Sequence, residues 1–192
     1  LNLTDEKYLN NNYLVMCTNK GTVKKTTLEA YSRPRVNGIN AIKIKENDRV
    51  AAYLPNLIET VEAFIATTSI GAIWSSCSPD FGVDGVIERF AQIKPKLLII
   101  ADRYYYNGKE INVIERLPAI LKKIKSIKNI IIVNYPGKNF LKLKKINKIQ
   151  VNSWKEIIIT KSKKLEFKKF DFEHNLAILY SSGTTGKPKC IC

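Results

Sequence analysis

Histidine is nearly absent from this sequence: His174 is the single one among 192 residues. No Ser-His-Asp arrangement forms around it, and its place just before an apolar stretch reads as packing or solvent contact rather than as a base. The four cysteines, Cys17, Cys77, Cys190 and Cys192, lack the spacing of a two-pair metal site. A structural zinc takes about four ligands, so Cys190-Ile191-Cys192 would need two more where only one His exists; no metal site is assigned. Nothing suggests secretion, and free thiols in a reducing, cytoplasmic setting are the expectation. No apolar run approaches the roughly 18 residues of a membrane span. Apolar runs such as 97–101 and 130–133 have the length of buried strands, so no membrane partner is expected. No signal peptide and no Met open the chain, and LNLTDEKYLN reads as the interior of a longer protein.

Acidic residues are scarce as well. Against 32 Lys and Arg stand 17 Asp and Glu, a formal charge of +15. Such a balance fits either a surface for nucleic acid or polyphosphate or lysines spread over solvated faces. The lysines crowd into 122–128, 138–148 and 161–169 beside Asn and Ile, without Arg and with Phe140 and Phe167 as the sole aromatics. No helix-turn-helix, RNA-recognition or zinc-finger pattern accompanies them, so no specific nucleic-acid partner is expected.

What is present has the length of one sizeable domain. Residues 13–17 and 22–26 read as a strand and its return across Gly21. A helix from Leu28 is interrupted at Pro34 and Gly38. Residues 49–54 form a strand, followed by a helix capped by Asn56 with Glu59 in capping-box position. Its apolar face is Leu57, Val61, Phe64, Ile65 and Thr68, and Gly71 ends it. Residues 72–75 are a short strand, with Trp74 in the core. A second helix shows Val83, Val86, Ile87, Phe90 and Ile93 at helical spacing and stops before Pro95. Residues 96–101 are a strand covered on both faces. A third helix spans 111–125, with Ile111, Ile114, Leu117 and Leu121 inward. Residues 130–133 are a buried strand and 136–150 a lysine-rich loop. Ser153 caps a short helix through Ile159, and 176–180 form the last strand. This alternation predicts an α/β fold with a doubly wound, mostly parallel sheet, whose ligands sit at the carboxyl ends of the strands.

That last strand feeds SSGTTGKPK. Gly183 and Gly186 leave no side chain in the way and permit a backbone nest of N–H groups. Ser181, Ser182, Thr184 and Thr185 add hydroxyls, and Lys187 and Lys189 add positive charge. The inventory suits a polyphosphate. It is not the common P-loop, which places G-x-x-x-x-G-K-[ST] at the start of a helix. Pro188 opposes helix here, so the loop should be an extended flap over phosphates.

ILYSSGTTGKPK, residues 178–189, resembles the AMP-binding signature of the adenylate-forming superfamily over 12 contiguous positions. NDRVAAYLPN at 47–56, GAIWSSCSPDFGVDGVIERFAQIKPK at 71–96, the Tyr106-Asn107-Gly108-Lys109-Glu110 stretch and FEHNLAILYSSGTTG are similar to the acetoacetyl-CoA synthetase (acetoacetate–CoA ligase) branch. The resemblance implies an ATP-dependent, AMP-forming acid–thiol ligase. Its substrates would be acetoacetate or a similar short acid, Mg2+-ATP and coenzyme A. It implies that Ser181, Ser182, Gly183, Thr184, Thr185, Gly186, Lys187 and Lys189 hold ATP phosphates, and that Asn107, Gly108 and Lys109 contact coenzyme A. A tyrosine, Tyr106, stands where related acetyl-CoA synthetases have an arginine.

The family pattern continues past Lys189 with Cys190-Ile191, a further apolar residue and His; here Cys192 departs from it. The resemblance therefore implies that residues 1–192 are part of the AMP-binding N-terminal domain without the C-terminal domain, with no catalytic residue in this stretch and no activity alone. Two other readings stand beside it: a synthetase for a different short acid, and a basic nucleic-acid-binding protein.

Overall fold

The computed structural model describes residues 13–17, 23–27, 42, 44–136, 145–146, 149–159, 168–181 and 186–192. Strands β1 (Tyr13–Cys17) and β2 (Val23–Thr27) form an antiparallel pair with Tyr13 opposite Thr27. The helix expected from Leu28 lies outside the described residues.

A six-stranded sheet forms the centre. It contains β3 (Arg49–Tyr53), β4 (Ile73–Cys77), β5 (Leu97–Ala101), β8 (Asn129–Val133), β9 (Lys145–Ile146) and β10 (Ile149–Ser153), in the order β4-β3-β5-β8-β10-β9. All neighbours are parallel except β9 and β10. A period of two divides the apolar strand residues between two cores. Ala51, Tyr53, Leu98, Ile100, Ile130, Ile132 and Val151 face one side. Val50, Ala52, Leu97, Ile99, Ala101, Ile131 and Val133 face the other. Each face is covered by helices, which is why the strands are apolar throughout. Helices α2 (Val83–Ile93) and α3 (Leu117–Lys123) cover the first through Val86, Phe90, Ile93, Leu117 and Ile120. Helices α1 (Ile58–Ser69) and α4 (Trp154–Ile159) cover the second through Ala63, Phe64, Trp154 and Ile157.

The doubly wound sheet is as expected; several local readings are not. Asn56 does not cap α1. Leu57 occupies the cap in extended conformation, with no side-chain cap bond, so Asn56 falls one residue outside the helix. The buried positions of α1 are Ala63 and Thr67, whereas Val61 is 44% exposed. The sheet admits small residues there, and Phe64 meets the buried Trp74 edge-on at 5.8 Å. Residues 111–112 belong to a strand, not to a third helix. Strands β6 (Arg103–Tyr106) and β7 (Lys109–Asn112) form a hairpin, a 3-10 turn follows at Ile114–Arg116, and α3 begins only at Leu117. Pro118, lacking an N–H, fits only that first turn. Within the expected loop at 136–150, residues 145–146 form β9 and 149–150 open β10; 137–144 and 147–148 lie outside the described residues. The cap of α4 is as expected: Ser153 Oγ accepts the Lys155 N–H at 3.2 Å, and Glu156 reaches back to the Ser153 N–H at 3.2 Å.

Candidate functional site

The expected strand at 176–180 is divided between two partners. Ala177 makes a parallel bridge to Trp74, so the chain runs beside β4 and in its direction. It then joins β11 (Leu179–Ser181), which pairs antiparallel with β12 (Lys189–Ile191). Ser181 lies opposite Lys189. The hydroxyl- and glycine-rich segment is thus the connection of a hairpin, and the chain returns from it as a strand, in keeping with Pro188. Ser182, Gly183, Thr184 and Thr185 lie outside the described residues. Gly186, Lys187 and Lys189 are exposed, and a Cβ on Gly186 would meet open space.

Polar contacts fasten this hairpin to the domain. The buried Ser75 hydroxyl donates to the Ile178 carbonyl at 2.9 Å and lies 3.0 Å from the Tyr180 hydroxyl. A hydroxyl has one proton, so Tyr180 donates to Ser75 in turn. The Arg89 guanidinium lies 3.9 Å from the Phe81 ring centre and 5.9 Å from that of Tyr180. On the other strand, Gln92 Nε2 donates to the Pro188 carbonyl at 2.8 Å.

A cleft of about 300 Å³ opens at the carboxyl ends of β3 and β4. It is lined by Leu54, Pro55 and Asn56 after β3, by Ser76 to Asp80 at and after β4, and by Tyr104, Tyr105 and Tyr106 of β6. β4 and β5 lie on opposite sides of β3, so the chain reverses its winding here, the usual place for a ligand in such sheets. Cys77 lines the cleft, but burial pushes its thiol up to about 12, which keeps it protonated and unreactive.

Asn107 and Gly108, at φ 48° and 73°, make the tight turn of the β6–β7 hairpin, the left-handed pair such a hairpin requires. With Lys109 they are exposed at its tip. The hairpin base is fastened by the buried Asp102, whose carboxylate accepts the Tyr135 N–H at 2.8 Å, Asn134 Nδ2 at 3.2 Å and the Arg103 guanidinium at 3.1 Å. Arg103 continues to Glu110 at 3.0 Å. Nothing in the sequence alone singled out Tyr104 and Tyr105 of the cleft or the buried Asp102. The signal for the hairpin was Asn-Gly between two extended segments.

His174 packs, as expected: its ring stacks on Phe170 at 4.6 Å and Nε2 lies 3.0 Å from the Gly71 carbonyl. Among the described residues no three His, Cys, Asp or Glu side chains converge to hold a metal, and no helix is long and apolar enough to cross a membrane.

A family profile described as AMP-binding enzyme matches residues 28–192. Acetoacetyl-CoA synthetase of Xenopus tropicalis is 46% identical over 155 residues, covering 77% of this chain and 23% of that protein. Acetoacetyl-coenzyme A synthetase of Rhizobium meliloti is 45% identical over 157 residues, covering 82% and 23%. The solved acetoacetyl-CoA synthetase from Streptomyces lividans superposes with a TM-score of 0.74 at 30% identity, covering 88% of this chain and 26% of that one. The chain thus spans about a quarter of the length of these relatives.

Proposed function

Because the chain belongs to the AMP-binding enzyme family, we propose that it forms the ATP-phosphate-binding part of the N-terminal domain of a cytoplasmic acetoacetate–CoA ligase. In that reaction an acetoacetate carboxylate oxygen attacks the α-phosphorus of ATP. The bond to the bridging oxygen breaks, and pyrophosphate leaves with the electron pair. The coenzyme A sulfur then attacks the acyl carbon of the adenylate and AMP departs, leaving the thioester. The work for the protein in the first step is to neutralise phosphate charge and fix the line of attack.

The observation that carries this reading is the Ser181–Lys189 pairing, which closes the SSGTTGKPK segment into a hairpin connection of hydroxyls, glycines and cations. In it, Ser181, Ser182, Gly183, Thr184, Thr185 and Gly186 supply donors to the β- and γ-phosphates, and Lys187 and Lys189 supply charge. Mg2+ arrives with the nucleotide and is assigned no protein ligand among the described residues. The nucleotide end of coenzyme A is assigned to the cleft lined by Tyr104–Tyr106 of the β6–β7 hairpin, with Asn107, Gly108 and Lys109 of the hairpin tip as its further contacts. The aromatic run Tyr104–Tyr106 and the exposed cation at the hairpin tip support that assignment.

The test is binding. ATP titrated into the 192-residue chain should bind, and Lys189→Ala should weaken it at least tenfold. Absence of ATP binding, or binding indifferent to Lys189→Ala and Thr185→Ala, would overturn the reading. Acid identity is tested in the protein that carries this segment, by exchange of labelled pyrophosphate into ATP. Exchange should depend on acetoacetate far more than on acetate.

A further inference from the structure

Tyr53 and Arg116 take no part in the contacts assigned above, and neither lines the cleft. Tyr53, the last residue of β3, is fully buried. Its hydroxyl donates to the Phe81 carbonyl at 2.5 Å, with the Pro79 carbonyl at 3.2 Å. Arg116 closes the 3-10 turn before α3. Its Nη1 donates to the Tyr53 hydroxyl, to the Pro79 carbonyl at 2.8 Å and to the Phe81 carbonyl at 3.2 Å. Two side chains that are 63 positions apart thus converge on two carbonyls of one short loop.

That loop is the β-turn Ser78-Pro79-Asp80-Phe81, closed by the Phe81 N–H on the Ser78 carbonyl at 3.1 Å. Ser78, Pro79 and Asp80 line the cleft, where Ser78 Oγ donates to Asp80 Oδ2 at 2.7 Å. A β-turn between a strand and a helix has two soft peptide planes, and Pro79 fixes only its own φ. The plane between Pro79 and Asp80 and the one that leaves the turn after Phe81 are held through their carbonyls by a buried phenol and a cationic donor, and the bonds from the cation are stronger than those between neutral groups.

We infer that Tyr53 and Arg116 are a positioning pair for the cleft: they grip the Ser78–Phe81 turn from behind and so fix the wall against which coenzyme A packs. This rests on the assignment of coenzyme A to the cleft. The pair touches no ligand and acts only through the turn.

The test uses Tyr53→Phe, which keeps the ring in the core, and Arg116→Met, which keeps the stem. In the 192-residue chain, hydrogen exchange at the Asp80 and Phe81 amides should accelerate at least fivefold in both variants. The amides of β3 and β5 should hold their rates. Coenzyme A affinity should fall at least tenfold, while ATP affinity changes less than twofold. Unchanged exchange at the turn overturns the inference. So does acceleration spread equally over turn, β3 and β5, or loss of ATP and coenzyme A binding in parallel, since either marks a general stabiliser. If the unaltered chain fails to bind coenzyme A, the ligand assignment falls, and the exchange measurement still decides whether the pair holds the turn.

Discussion

Trp74 and Ala177, 103 positions apart, are bridged in parallel: the Trp74 N–H donates to the Leu176 carbonyl at 3.1 Å, and its own carbonyl accepts the Ile178 N–H at 2.8 Å. This bridge sets the segment that leads to SSGTTGKPK beside β4, in the same direction. Trp74 is held on its side by Phe64 from α1. The register of the strand that enters the SSGTTGKPK segment is therefore set by the sheet and the core behind it.

Ser75 is the side-chain counterpart of that bridge. Ser75→Ala leaves the Ile178 carbonyl and the Tyr180 hydroxyl without their partner in a buried place. It should cost about 1–3 kcal/mol of stability, read from urea unfolding. A loss indistinguishable from zero would mean that water replaces the hydroxyl.

Gly71 should not tolerate a side chain. Its φ is +71°, and a Cβ there would overlap the Phe170 ring. Gly71→Ala should cost about 1–2 kcal/mol for the left-handed backbone, with a further loss from the overlap. Phe170→Ala in the same background should return only that further part, as thermal melts of the single and double variants would separate.

Lys109 is exposed at the hairpin tip, so Lys109→Glu should change stability by no more than about 0.5 kcal/mol. Under the proposed role it should weaken coenzyme A binding at least tenfold, and less so at high salt. Calorimetric titration at two ionic strengths gives the answer, and equal affinities would remove Lys109 from the site.

Asp48 gives the domain an acid-sensitive contact. Burial works against its charged form, but Lys96 Nζ at 2.5 Å and the Lys45 N–H at 2.9 Å outweigh it and hold the carboxyl below its ordinary value, which is about 3.9 in an unfolded chain. A folded value below the unfolded one stabilises the protein fully above roughly pH 5, and this part is lost as pH falls through the folded value. Asp48→Asn should therefore lose less stability than the unaltered chain between pH 6 and pH 3. Equal losses in urea titrations would show that other carboxylates carry the acid response.

The strands at 49–53, 97–101 and 129–133 were legible because residues buried on both faces must be apolar whatever their partners are. Helix α2 was legible from Val86, Phe90 and Ile93, whose spacing matches one helical face. The reading failed where two local structures suit the same residues. Ile111 and Ile114 fit a helix by spacing, yet the Asn107-Gly108 turn folds 109–112 back as a strand. The division of 176–181 between β4 and β12 has no local signal, since either pairing suits an extended apolar segment.

The sequence by itself determined the layered α/β sheet and the hydroxyl- and glycine-rich character of the SSGTTGKPK segment, because burial and backbone freedom are properties of each residue and its near neighbours. Only the tertiary structure decided that Tyr104–Tyr106 meet Asn56 and Asp80 in one cleft, that Asp102 fastens a hairpin, and that Tyr53 and Arg116 share two carbonyls. Those contacts join residues far apart in the chain. Their geometry follows from the order in which the strands lie side by side.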